Sequence, residues 1–129
     1  MITEWNNLQR IRKAGRGFDE AGETVVYDIT VSGMKILLMG SLNLDENTKY
    51  PVGADLLILP FQGRSDINDY ALGFIERLRP NKVMLSHFDD SFPPISSAVN
   101  TNKFITVMKQ KYPHITVVCP HASDGWVDL

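Results

Sequence analysis

The run Lys82-Val83-Met84-Leu85-Ser86-His87-Phe88-Asp89-Asp90 sets a histidine at the end of a short apolar segment, with two aspartates close behind it. Imidazole titrates near neutral pH and serves as a metal ligand or proton shuttle. A ligating histidine is held in place by a partner on its other ring nitrogen, a part that Asp89 or Asp90 is near enough to play. In an α/β chain, groups of this kind sit in the loop that follows a strand. No second histidine stands at ligand spacing from His87, and the chain contains no His-x-His, no His-x-x-x-His and no Cys-x-x-Cys. His114 follows Pro113 at a chain corner and reads as solvent-facing. Cys119 and His121, two positions apart, follow the last apolar segment and fall on the same sheet end as His87. That spacing could chelate a metal, but a structural cysteine beside a surface histidine is the simpler reading. The glycines and serines lie in neither Gly-x-Gly-x-x-Gly nor Gly-x-Ser-x-Gly context, which leaves a dinucleotide site and a serine hydrolase without support.

The elements that must position these residues follow from periodicity. Apolar and polar residues alternate over 25–31, with Val25, Tyr27, Ile29 and Val31 on one face, and Ser32-Gly33 makes a tight turn into a second strand at 34–39. The end of that strand is apolar on both faces, as a strand inside a covered sheet must be. A third strand occupies 55–60. Ile67, Tyr70, Ala71, Phe74, Ile75 and Leu78 then form a helical stripe, capped by Ser65 or Asp66 and stopped by Pro80. A fourth strand at 82–86 leads into His87 and a proline-rich loop, Phe92-Pro93-Pro94-Ile95, placed to close the mouth of a site there. Asn100 or Thr101 caps a second helix carrying Phe104, Ile105, Met108 and Tyr112, and a last strand spans 115–119. The tail from His121 onward reads as a short edge strand. The expected fold is α/β: a mixed β-sheet with two crossover helices on one face. Residues 1–22 form a polar lead-in with a narrow apolar edge (Ile2, Trp5, Leu8, Ile11) and a basic cluster, and residues 23–129 form a single domain.

Composition narrows the function classes. A chain of 129 residues with 43% hydrophobic content fits one globular domain. A formal net charge of −2 gives no field to draw nucleic acid or an anionic membrane. The single cysteine fits a reducing compartment, and no apolar run approaches the ~20 residues of a membrane span. The start has neither the basic segment nor the apolar core of a signal peptide. A cytoplasmic protein is the expectation.

Four runs, taken in order, resemble a known family: Val26-Tyr27-Asp28-Ile29 through Ser32-Gly33-Met34-Lys35-Ile36-Leu37; Met39-Gly40-Ser41; Gly53-Ala54-Asp55-Leu56-Leu57-Ile58-Leu59-Pro60; and Arg79-Pro80-Asn81-Lys82-Val83 to Ser86-His87-Phe88-Asp89. Together they look like the C-terminal half of a metallo-β-lactamase-fold hydrolase. The resemblance implies half of a four-layer αββα sandwich that, when intact, holds two metal ions, commonly zinc. It places His87 at the last histidine ligand and makes Asp89 the catalytic candidate, as an orienting or solvent-side carboxylate. Ser41 stands where the family usually has a metal-bridging aspartate, although some branches read Gly-Ser. The family's His-x-His-x-Asp-His segment has no counterpart here. Zinc is therefore the cofactor of an intact member, with none held tightly by this chain. The expected function is a truncated metal-dependent hydrolase, inactive alone, or else a binding or assembly module that kept the fold and lost the metals. The sheet face away from the helices is apolar and needs a cover. This predicts a homodimer through that face, or a complementary N-terminal half, with no nucleic-acid or membrane partner.

Overall fold

The computed structural model describes residues 25–40, 42, 44–89, 91–121 and 128. The lead-in over 1–22, Ser41, Asp90 and the tail's edge strand lie outside the described residues. The elements run β1 (Val26–Val31), β2 (Met34–Met39), β3 (Leu56–Pro60), α1 (Ile67–Leu78), β4 (Lys82–Ser86), α2 (Asn102–Lys111) and β5 (Thr116–Val118). They form a mixed sheet in the order β1-β2-β3-β4-β5, antiparallel between β1 and β2 and parallel from β2 to β5. The α/β class read from the sequence is the class observed.

Local chemistry explains the hairpin. Ser32 and Gly33 both have positive φ, at 50° and 80°, which makes the mirror-image turn whose twist matches that of the paired strands. At the far end of β2, Gly40 donates to the Val25 carbonyl at 2.8 Å. A Cβ at position 40 would lie 2.6 Å from that same oxygen, so only glycine allows the two strand ends to close.

Each parallel step needs a crossover, and all three crossovers pack on one side of the sheet. α1 and α2 provide two of them; their buried Ile67, Ala71, Phe74, Leu78, Phe104 and Met108 meet strand residues such as Leu37, Leu57, Leu59 and Leu85 in a single cluster. The third, residues 40–55, has no helix among its described residues. It buries Leu42 and Ala54, while Arg77 of α1 donates to the carbonyls of Asp45 (3.0 Å) and Thr48 (2.8 Å), adding to a turn in which Thr48 N already donates to Asp45 O at 3.4 Å. A hydrogen bond from Tyr112 to Glu76 (3.2 Å) ties α2 to α1. Burial and then the Glu76 carboxylate push the Tyr112 phenol above its ordinary value.

Strand alternation assigns the opposite face. Leu37 and Met39, Leu57 and Leu59, and Val83 and Leu85 belong to the core cluster, so their neighbours in sequence point away from the helices. Met34, Ile36 and Leu38 of β2 therefore share that second face with Leu56 and Ile58 of β3. Met84 and Val118 continue it on one side, in register with Ile58, and Tyr27, Ile29 and Val31 of β1 continue it on the other. Leu56 is buried at 1% exposure, Val31 is exposed at 54%, and the other side chains of this face are half-buried. The core cluster that joins α1 and α2 to the sheet includes none of these side chains.

Candidate functional site

Four parallel strands bring their C-terminal ends to one edge, the usual location of a site in sheets of this kind. Gly40 ends β2, Phe61-Gln62 follows β3, His87 follows β4, and Cys119-Pro120-His121 follows β5. His87 and His121 thus share an edge, as the sequence implied. His121 sets its ring edge-on to Phe88, the residue after His87, with centroids 6.0 Å apart and planes at 89°.

His87 owes its orientation to a backbone turn. The β3–β4 ladder runs on to a bond from the Phe61 amide to the Ser86 carbonyl at 2.7 Å, and His87 then takes φ 58°, in the left-handed region. That conformation breaks the strand's alternation. Phe88 is driven into the core at 7% exposure, while His87 and Asp89 on either side of it are exposed. The Phe88 carbonyl accepts from the Val99 amide at 2.7 Å, which pins the return of the chain. A buried aromatic therefore anchors a short segment whose two polar groups face outward. The sequence named all three residues, but the left-handed turn that separates their directions carries no signal in residue type.

The proline-rich loop beyond it is closed by its own backbone. Phe92 donates to Ser96 O and Oγ (3.2 and 3.1 Å), Ser96 donates back to Phe92 O (3.1 Å), and Gln62 Nε2 reaches Ser97 O at 3.2 Å. Phe92 is 68% exposed and Ile95 90%, so the tip points its apolar groups into solvent. Nearby, Arg64 forks onto Asp66 (2.7 and 2.9 Å) and lies 3.7 Å over the Tyr70 ring. The guanidinium holds the Asp66 carboxyl below its ordinary range, and the hydrogen bond to Asp66 raises Arg64 in turn.

The remaining candidates are placed plainly. His114 is exposed and stacks edge-on against Tyr112 with centroids 6.5 Å apart. Cys119 is half-buried and contacts Thr101 Oγ1 at 3.6 Å, so its thiol turns toward the start of α2. A catalytic zinc requires about three protein donors. Among the described residues, no three His, Cys, Asp or Glu side chains gather where they could hold a metal ion. His87 and Asp89 do not make up such a set, so these residues alone do not fit a resident zinc.

Comparison with protein-family models, with curated proteins and with solved structures gave no match. Among the described residues, no helix is long and apolar enough to cross a membrane.

Proposed function

We propose that this chain is the C-terminal half of a metallo-β-lactamase-like, metal-dependent hydrolase that turns over no substrate by itself and works by joining a second half. The observation that carries this reading is the apolar sheet face opposite the helices. Met34, Ile36, Leu38 and Ile58, all half-buried, form its centre around the buried Leu56, on a sheet already covered on its other side. Leaving a large apolar side chain wet costs on the order of 1.5–3 kcal/mol, and contiguous apolar patches beyond a few hundred Å² are rare on soluble monomers. A second copy related by a two-fold axis, or a complementary N-terminal half, would rebuild the four-layer αββα arrangement. His87 would then bring one metal donor, with Asp89 beside it, to an edge completed by other residues. The formal charge of −2 gives nucleic acid no foothold, and the single, half-buried Cys119 fits a reducing, cytoplasmic setting.

The absence of a three-donor cluster among the described residues favours a second reading, a non-catalytic assembly module that kept the fold and lost the metals. One substitution separates the two. His87 is exposed, so His87→Ala should leave the fold intact by circular dichroism. If the chain serves a metal site, the variant loses the weak zinc uptake of the wild type, measured by metal analysis after dialysis. Under the module reading, zinc uptake is absent in both proteins and self-association is unchanged. Tightly held stoichiometric zinc in a monomer would overturn both.

A further inference from the structure

The free edge of the sheet carries a separate inference, independent of the proposed pairing of the apolar face. β1 is the terminal strand of the sheet, and among the described residues its one guard against pairing is the charge of Asp28. Its sequence, Val-Tyr-Asp-Ile-Thr-Val, contains no proline or lysine, its six residues pair with β2 without a bulge, and Asp28 is its only charge. Which backbone groups point outward follows from one hydrogen bond. Gly40 N donates to Val25 O, which makes Val25 and Gly40 a hydrogen-bonded pair. Alternation then turns Tyr27, Ile29 and Val31 toward β2 and leaves the N–H and C=O groups of Val26, Asp28 and Thr30 on the open edge.

We propose that this edge pairs with β1 of a second copy of the chain, antiparallel, about a two-fold axis at Ile29. Of the in-face registers, those with the axis at Asp28 or at Ile29 overlap the strand most fully, each pairing five of its six residues. An axis at Asp28 would set two carboxylates directly opposite one another, which is unfavourable. An axis at Ile29 sets Asp28 opposite Thr30 of the second copy, and these outward-facing residues exchange four backbone hydrogen bonds across the axis. Side chains then match on both faces. Ile29 meets its own copy at the closer, non-hydrogen-bonded spacing, Tyr27 covers the exposed Val31 of the other chain, and the Asp28 carboxylate accepts from the Thr30 hydroxyl. The occupant is self-complementary in charge, in shape and in hydrogen-bond phase. Used together with the apolar face, the edge contact would generate a tetramer of 222 symmetry.

The test is a pair of opposite substitutions read by sedimentation velocity over a concentration series. Thr30→Asp faces Asp28 of the second copy with a like charge and should weaken association roughly tenfold; Thr30→Lys faces it with the opposite charge and should strengthen association by a similar factor. Equal or unchanged affinities for the two variants would overturn the proposal. Amide exchange on the wild-type chain supplies a readout that needs no variant. Protection of the Asp28 and Thr30 amides should rise with protein concentration, while that of Tyr27 and Ile29, bonded to β2, stays constant. Concentration-independent exchange at Asp28 and Thr30 would overturn it too, and full protection in a monomer would assign the edge to residues 1–24 of the same chain.

Discussion

His87 holds a left-handed backbone conformation, at φ 58° directly after β4. For an L-residue that region costs about 1–2 kcal/mol, somewhat less for histidine, which visits it more readily. Strain of this kind at a strand end is a reason to look for function. It also makes the residue's role separable from stability. His87→Gly should raise stability by about 0.5 kcal/mol, the relief of strain being partly offset by the added freedom of the unfolded chain. His87→Ala should be neutral or slightly destabilising. Urea unfolding of the three proteins measures both. If His87→Gly is clearly destabilising, the imidazole is a structural support and the reading of His87 as an outward-facing donor fails.

At the scale of elements, what the sequence disclosed was periodicity, and what it hid was competition between side chains. The stripe Ile67 to Leu78 and the turn Ser32-Gly33 are where pattern and glycine chemistry placed them. Asp66 was expected to cap α1 and sits at the N-cap, yet makes no side-chain capping bond, because Arg64 engages both carboxylate oxygens. At α2, Thr101 is the N-cap without a side-chain bond, and Asn100 accepts from the Asn102 amide at 2.9 Å instead. β5 is shorter than its apolar run, since register with β4 ends at Val118. The crossover over 40–55 gave no periodic signal because it is stabilised by contacts to Arg77 and not by a repeating face of its own. The hairpin offers a direct test of the turn argument. Ser32 occupies a left-handed position that asparagine tolerates better, so Ser32→Asn should add about 0.5 kcal/mol and raise the melting temperature by a few degrees. A drop in melting temperature would mean that the hydroxyl, not the backbone, governs this corner.

For the whole molecule, the governing fact is asymmetry between the two faces of one sheet. Three crossovers cover one side, and the other carries an apolar plane of roughly 300 Å² at the spacing and rise of β-strands. The legible part of the candidate site follows the same division: strand order brought His87 and His121 to one edge, while the residues that would complete a metal set are not found among those described. Association through the face should depend on Ile36 and Ile58 near its centre, so the double variant Ile36→Lys, Ile58→Lys should lose that contact, keeping its secondary structure and only the pairing through the β1 edge. The most direct measurement of the central claim is the mass by light scattering, at low micromolar concentration, of a chain carrying Thr30→Asp to block the β1 edge. Pairing through the apolar face predicts a particle of two copies that falls to one copy when Ile36 and Ile58 are also replaced; a well-folded single copy in the Thr30→Asp protein would contradict it.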